Sequence, residues 1–426
     1  MISNDIKNAY IAILREELVP AMGCTEPIAI AFASSILGDV LGGKPSEIDA
    51  HFSGNIIKNV KSVIVPCTGG KHGIESALAA GIISSRPDKR LEVLNVLPSD
   101  AGKAIDDFIS RCKISIGEIP SGCSFELHLI GKRNKDIAEV KILGAHTNVT
   151  LVSKNGLNLT EKYSLGEVIE NTYYRADRSS LNVQDIVEFA DTVDLDMVED
   201  LLTEQLEMNM AIAKEGLTNT WGASIGKLLM EGEQTLSRKA RAYAAAGSDA
   251  RMSGCELPVC IISGSGNQGI TASVPVKIYA DAMGVSKDTM LRALLVSDLI
   301  TIHQKNGIGC LSAYCGAVSA GVGAGAGICY LHGGRYYEIA HTLVNAVAII
   351  SGTICDGAKP SCAAKIAMAV EAGIMGFEMA KTGRQFLGGD GIVTKGVENT
   401  IRNVGRLARD GMSQTDKEII SIMLGK

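Results

Sequence analysis

Apolar residues recur at helical spacing from the start of the chain. Ile6, Tyr10, Ile13 and Leu14 share one face of a segment from Asn4 to Leu18, which Pro20 and Gly23 break. After Gly23-Cys24, Thr25 suits an N-cap and Pro27 a first turn, so Ile28 to Leu41 reads as a nearly all-apolar, buried helix stopped by Gly42 and Gly43. Between Leu91 and Val152 the period changes. Leu91–Leu97, Phe125–Ile130, Ile137–Leu143 and Thr147–Val152 read as strands, with a helix over Ala104–Cys112. Helical patterns return from Val183 to Ala246, pause at a polar loop, Gly247 to Gly254, and resume in apolar stretches rich in Ala and Gly: Asp281–Ile302, Gly316–Tyr330, Tyr337–Ile350 and Ala363–Met379. The pattern predicts an α+β protein. A helical body (1–88 and 173–426) carries an inserted α+β lobe (89–172). No repeat of fixed period appears, which argues against a solenoid.

Composition narrows the function. Aromatic residues make up only 4% of the 426 residues while glycines number 47, as expected of closely packed helices with small contact residues. The formal charge of −6 is spread over mixed-sign stretches, without the cationic stripe that nucleic-acid binding needs. Apolar runs fall short of a bilayer span, and Asp5, Lys7, Arg15, Glu16 and Glu17 interrupt the N-terminal segment that a signal peptide would keep apolar. The expectation is a cytoplasmic protein without membrane or nucleic-acid partners. Its small-residue helices hint at a homo-oligomer. Eleven cysteines in such a chain belong in a reducing compartment, where thiols act as ligands, nucleophiles or small core residues.

Three cysteine settings stand out. Cys355 and Cys362 flank a loop of turn formers, Asp356-Gly-Ala-Lys-Pro-Ser361, and Cys315 or Cys310 offers a third thiolate of the kind that suits zinc, copper(I) or iron–sulfur clusters. The spacing lacks paired zinc knuckles and leaves open buried structural thiols. Cys24 precedes a helix start, where backbone N–H groups lower a thiol pKa, whereas Glu26 nearby raises it. Cys67, Cys112, Cys123, Cys255, Cys260 and Cys329 read as packing residues. Two glycine-containing loops, Ser53-Gly54-Asn55 and Ser263 to Gly269, suit a small anion, with Lys58 and Lys71 as candidate cations near the first, while His303 and Lys305 are candidates to lie near the cysteine site.

Taken together, Gly23–Pro27, Ser53–Asn59, Pro66–Gly70, Ser263–Gly269, Leu311–Gly316 and Cys355–Cys362 resemble the L-cysteine desulfidase family, which is related to the bacterial iron–sulfur L-serine dehydratases. The likeness covers nearly the whole chain. It implies that Cys24, in Gly-Cys-Thr-Glu-Pro, is the proton acceptor and that Cys315, Cys355 and Cys362 hold a 4Fe-4S cluster. Cys315 is preferred to Cys310 because it opens the better-matching Cys-Gly-Ala-Val-Ser-Ala-Gly stretch. Asn55, Ser265 and Asn267 are the expected contacts for the carboxylate of a small amino-acid substrate. Members of that family tend to carry glycine where this chain has Cys67. Competing readings are L-serine dehydration at the same cluster, a pyridoxal-phosphate lyase with Lys58 as Schiff-base lysine, and a non-catalytic zinc or redox-sensing site.

Overall fold

Alternation of buried and exposed positions builds one sheet, and continuous apolar helices build the rest. The computed structural model describes residues 2–120, 123, 125–164, 176–309 and 311–425. The first part of the chain runs α1 (Asn4–Glu17), β1 (Pro20–Met22), α2 (Thr25–Leu41), β2 (Glu47–Ser53), α3 (Gly54–Val60), α4 (Gly73–Ser84), α5 (Ala101–Arg111), β3 (Lys113–Ile119), β4 (Glu126–Arg133), β5 (Asp136–Leu143), β6 (Val149–Lys154), β7 (Leu157–Asn158) and a single turn α6 (Thr160–Tyr163). Strands β3-β2-β4-β5-β6-β7 form a mixed sheet in that order, parallel only between β2 and β3. Ile48, Ala50 and Phe52 on β2, Leu127 and Leu129 on β4, and Ala138, Val140 and Ile142 on β5 point to one face. That face packs with α2 and α4 into one hydrophobic core.

After α6 the described chain is helical apart from one short strand: α7 (Val183–Thr192), α8 (Glu199–Thr218), α9 (Ile225–Met230), α10 (Leu236–Met252), β8 (Pro258–Cys260), α11 (Gly266–Met283), α12 (Lys287–Ile308), α13 (Gly316–Leu331), α14 (Tyr336–Ile350), α15 (Cys362–Lys381), α16 (Val397–Arg406) and α17 (Ser413–Leu424). With α1 these, apart from α9 and α17, supply a second core. The α+β class holds, with helix dominant. The sheet core also takes in α2, β2, α3 and α4, which precede residue 89 in the chain.

Small residues let the body helices touch. A Cβ on Gly373 of α15 would lie 2.0 Å from the Gly321 carbonyl oxygen of α13, so the two backbones meet directly. Because α13 begins beside Cys315 and α15 begins at Cys362, this contact helps set where both sulfurs start.

Three local expectations change. Leu91–Leu97 is not a strand; Pro87–Glu92 forms a 3-10 turn and the remainder is turn, because Val93 and Leu94 are buried side by side and do not alternate. Gly247–Gly254 is not a loop up to its end: α10 continues through Met252, since Gly247 packs closely on Ile270 and tertiary contact outweighs low helix propensity. Cys24, rather than Thr25, occupies the N-cap of α2. Among the described residues no helix is long and apolar enough to cross a membrane.

Candidate active site

Two short pairings bring the sequence motifs together. β1 and β8 run antiparallel, Pro20 opposite Cys260, which sets the Gly23-Cys24 turn beside the Ser263–Gly269 loop; Thr25 Oγ1 then donates to the Gly264 carbonyl at 2.8 Å. Tyr314 and Ile354 form an isolated antiparallel bridge, with Cys355 N donating to Ala313 O at 2.6 Å and Cys315 N to Thr353 O at 3.1 Å. Cys315 thereby faces the Cys355–Cys362 loop.

The result is a cavity of about 100 Å³ walled by the starts of four helices: Cys24, Thr25 and Glu26 of α2; Ser265, Asn267 and Gln268 of α11; Cys315 and Gly316 of α13; and Cys362 of α15. By the same measure a single water needs roughly 10–15 Å³, so a small molecule fits. Helix N-termini carry unpaired N–H groups and partial positive charge, and four of them at one place favour anions. The lobe adds His146, tilted against Phe125 with ring centroids 4.5 Å apart, and α3 adds Lys58 and Asn59. The cavity therefore lies where residues of both cores meet.

Cys24 is buried and donates its thiol proton to Glu26 Oε2 at 3.0 Å. Burial, and then the negative charge of Glu26, push this thiol well above its ordinary pKa, outweighing the helix start and the attraction of Arg251. Burial also opposes ionisation of Glu26, but His146, the Cys24 hydrogen bond and Arg251 together hold its carboxyl below the ordinary value. Asn59 Nδ2 donates to Glu26 Oε1 at 2.9 Å, and the single hydroxyl proton of Thr25, shared with the Gly264 carbonyl, also reaches Oε2, with the oxygens 3.2 Å apart. Cys24 and Glu26 thus form a thiol–carboxylate pair. The sequence offered Glu26 only as a charge opposing Cys24; the signal for partnership was its place two residues into the same helix.

Across the cavity, the neighbouring Cys355 and then burial push the Cys315 thiol well above its ordinary pKa, whereas Cys315 and the charges of Lys58 and Lys365 pull Cys355 down towards thiolate. Burial pushes the Cys362 thiol up, and its Sγ contacts the Gly357 carbonyl at 3.7 Å. Lys365 holds the loop by donating to Asp356 Oδ1 at 2.5 Å and Ile354 O at 2.9 Å. As they stand, no three Cys, His, Asp or Glu side chains among the described residues are gathered into a metal-ligand group. The donor set nonetheless suits a thiophilic centre: three soft sulfurs on one wall, with cations that favour thiolate and backbone N–H groups beside them.

Of the other expected residues, Ser265 and Asn267 line the cavity and Asn55 does not, although its Oδ1 is buried without a partner. Cys310 lies outside the described residues. Lys58 is on the wall, but its Nζ is engaged by Asp416 Oδ1 at 2.5 Å. Lys305 is buried on the wall; Lys71 pairs with Asp106, and His303 pairs with Glu398. Cys67 stands at φ +59°.

Comparison with known proteins places the chain in a family. A family model described as serine dehydratase alpha chain matches residues 89–421. A UPF0597 protein of Desulfitobacterium hafniense is 51% identical over 418 residues, covering 98% of this chain and 96% of that one. UPF0597 proteins of Treponema denticola and Finegoldia magna are each 44% identical, covering 97% and 98% of this chain and 97% and 99% of their own. With most of its length matched to the model, this chain belongs to the serine dehydratase alpha chain family.

Proposed function

We propose that the chain is an iron–sulfur lyase that eliminates sulfide from L-cysteine to give pyruvate, ammonia and hydrogen sulfide. The observation that carries this reading is one cavity with a thiol–carboxylate pair on one side and three cysteines on the other. Cys315, Cys355 and Cys362 would hold a 4Fe-4S cluster. Held by those three sulfurs, the cluster would supply a Lewis acid for the departing sulfur.

The remaining chemistry falls to side chains. The resting pair is thiol and carboxylate, so Cys24 acts as base only once its proton has passed to Glu26; as thiolate it then takes the substrate Cα proton. The Cα–H electron pair forms the Cα=Cβ bond as the Cβ–S bond breaks, and the proton on Glu26 remains available to the leaving sulfide. The product, 2-aminoacrylate, tautomerises to an imine, and water hydrolyses it to pyruvate and ammonia. Ser265 and Asn267 contact the substrate, while Asn59 and Thr25 keep the Glu26 carboxylate aimed at Cys24.

A second reading, L-serine dehydration by the same groups, is favoured by the family match. Anaerobically reconstituted protein assayed for pyruvate separates the two. Faster turnover of L-cysteine supports desulfidation; a clear preference for L-serine replaces it with dehydration.

A further inference from the structure

Arginine is almost never fully buried unless a partner matches its charge. Arg251, near the end of α10, is only 3% exposed and lines the cavity, yet its Nε has no hydrogen-bond partner, and no ion pair joins the side chain to any described residue. Its neighbourhood makes this lack of a partner costly. A Cβ on Gly266 would lie 2.4 Å from that Nε, so the glycine is what lets the guanidinium rest against the first turn of α11, at the helix's positive end. A bare cation there is disfavoured twice, by burial and by the dipole.

The neighbouring charges leave that cost standing. Glu26 attracts Arg251 only at longer range, since its oxygens are taken by Cys24, Thr25 and Asn59. Lys58 has Asp416, whereas Arg251 has no such carboxylate at contact distance. Beside it on the same wall lies the opposite deficiency: Asn267 Oδ1 and Gln268 Oε1 are buried acceptors without donors. Gly316 clears the space, because a Cβ there would lie 2.6 Å from Gln268 Cδ. A cation lacking an anion next to acceptors lacking a donor is the negative image of a zwitterion.

We propose that Arg251 takes the α-carboxylate, and the amide oxygens of Gln268 and Asn267 the α-ammonium, of a small α-amino acid. This rests on the amino-acid lyase reading and adds to it the two groups by which substrate is chosen. The fork of Arg251 meets a carboxylate in two parallel hydrogen bonds, and the ammonium supplies the donors that the two amide oxygens lack. Substrates lacking either charge leave buried polar groups unpaired and are rejected.

The test uses ligands without a leaving group, so nothing is consumed: L-alanine, L-alaninamide and propionate, titrated by calorimetry into anaerobic wild type, Arg251→Gln, Arg251→Lys and Gln268→Leu, with pyruvate formation from L-cysteine and L-serine assayed in parallel. Wild type should prefer L-alanine to L-alaninamide by about tenfold or more, the scale of one charge-assisted hydrogen bond. Arg251→Gln should bring that ratio near one, and Arg251→Lys, which keeps the charge and guards against a folding defect, should leave it intermediate. Gln268→Leu should erase the preference for L-alanine over propionate. Pyruvate formation by a wild type with no carboxylate preference, or full preference in both Arg251 variants, overturns the assignment alone. Absence of pyruvate from either substrate overturns the lyase reading instead.

Discussion

A thiol hydrogen-bonded to a carboxylate is a different reagent from either group alone. Cys24 cannot hold a thiolate unaided, because burial and Glu26 both oppose its charge, so its proton must have somewhere to go. Glu26→Gln keeps the shape but removes the proton acceptor and turns one of the two accepting oxygens into a donor. It should lower kcat for pyruvate formation by about a hundredfold or more with little change in fold, read by steady-state kinetics beside circular dichroism. Near-normal kcat would place proton transfer elsewhere. Cys67 poses a purely conformational question. Its left-handed backbone, where the resembling family tends to have glycine, costs a side chain on the order of 1 kcal/mol. Cys67→Gly should raise the unfolding free energy read from urea titration by up to about that much, and an unchanged value would mean that the strain is offset by what the half-buried side chain contributes.

At the scale of elements, helix contacts decide both what could be read and what could not. Cys24 and Cys362 were legible because each follows a turn-forming loop and precedes an apolar run, where helices begin, and helix beginnings build the cavity; Cys315 was set ahead of Cys310 by the family resemblance alone. Arg251 was not, because the stretch Gly247-Ser-Asp-Ala reads as a loop by propensity and becomes helix only when α10 packs on α8 and α11. Strand β3 was missed although Ile114 and Ile116 alternate along it; it is a sheet edge with both faces largely exposed, so the alternation does not mark a buried face. A contact of the same kind hides Asp298 of α12, fully buried, with Gln205 Nε2 of α8 donating to one oxygen at 3.1 Å and the other oxygen unpartnered. Burial raises its pKa from 3.8 to about 8 against the lowering effect of Gln205. The folded state therefore keeps a proton that the unfolded chain releases, and stability should fall as pH rises between those values, by at most about 1.4 kcal/mol per unit, then level off. Asp298→Asn should flatten that slope in urea titrations across the same range. An identical slope in the variant would assign it to other groups.

For the molecule as a whole, the arrangement of two cores matters more than either core. One wall of the cavity comes from α2, which packs on the sheet, and the others from α11, α13 and α15 of the helical body; the β1–β8 pairing and the Thr25–Gly264 bond tie the two together. Sequence could place each motif on its own helix but not oppose them, because nothing local records that Pro20 pairs with Cys260 or that His146 of the lobe reaches the same cavity. A ligand held between both cores must stabilise both at once, by about 2.7 kcal/mol at a hundred times its dissociation constant. Hydrogen exchange followed by mass spectrometry should therefore show L-alanine slowing exchange in peptides covering Cys24–Ile28 and Ser263–Gly269 together. The protection should saturate at a single ligand concentration and extend into α2 and α11, whose first turns close the cavity. Protection confined to the Ser263–Gly269 side would mean that the helical body binds ligand alone and that the thiol–carboxylate pair closes on it in a later step.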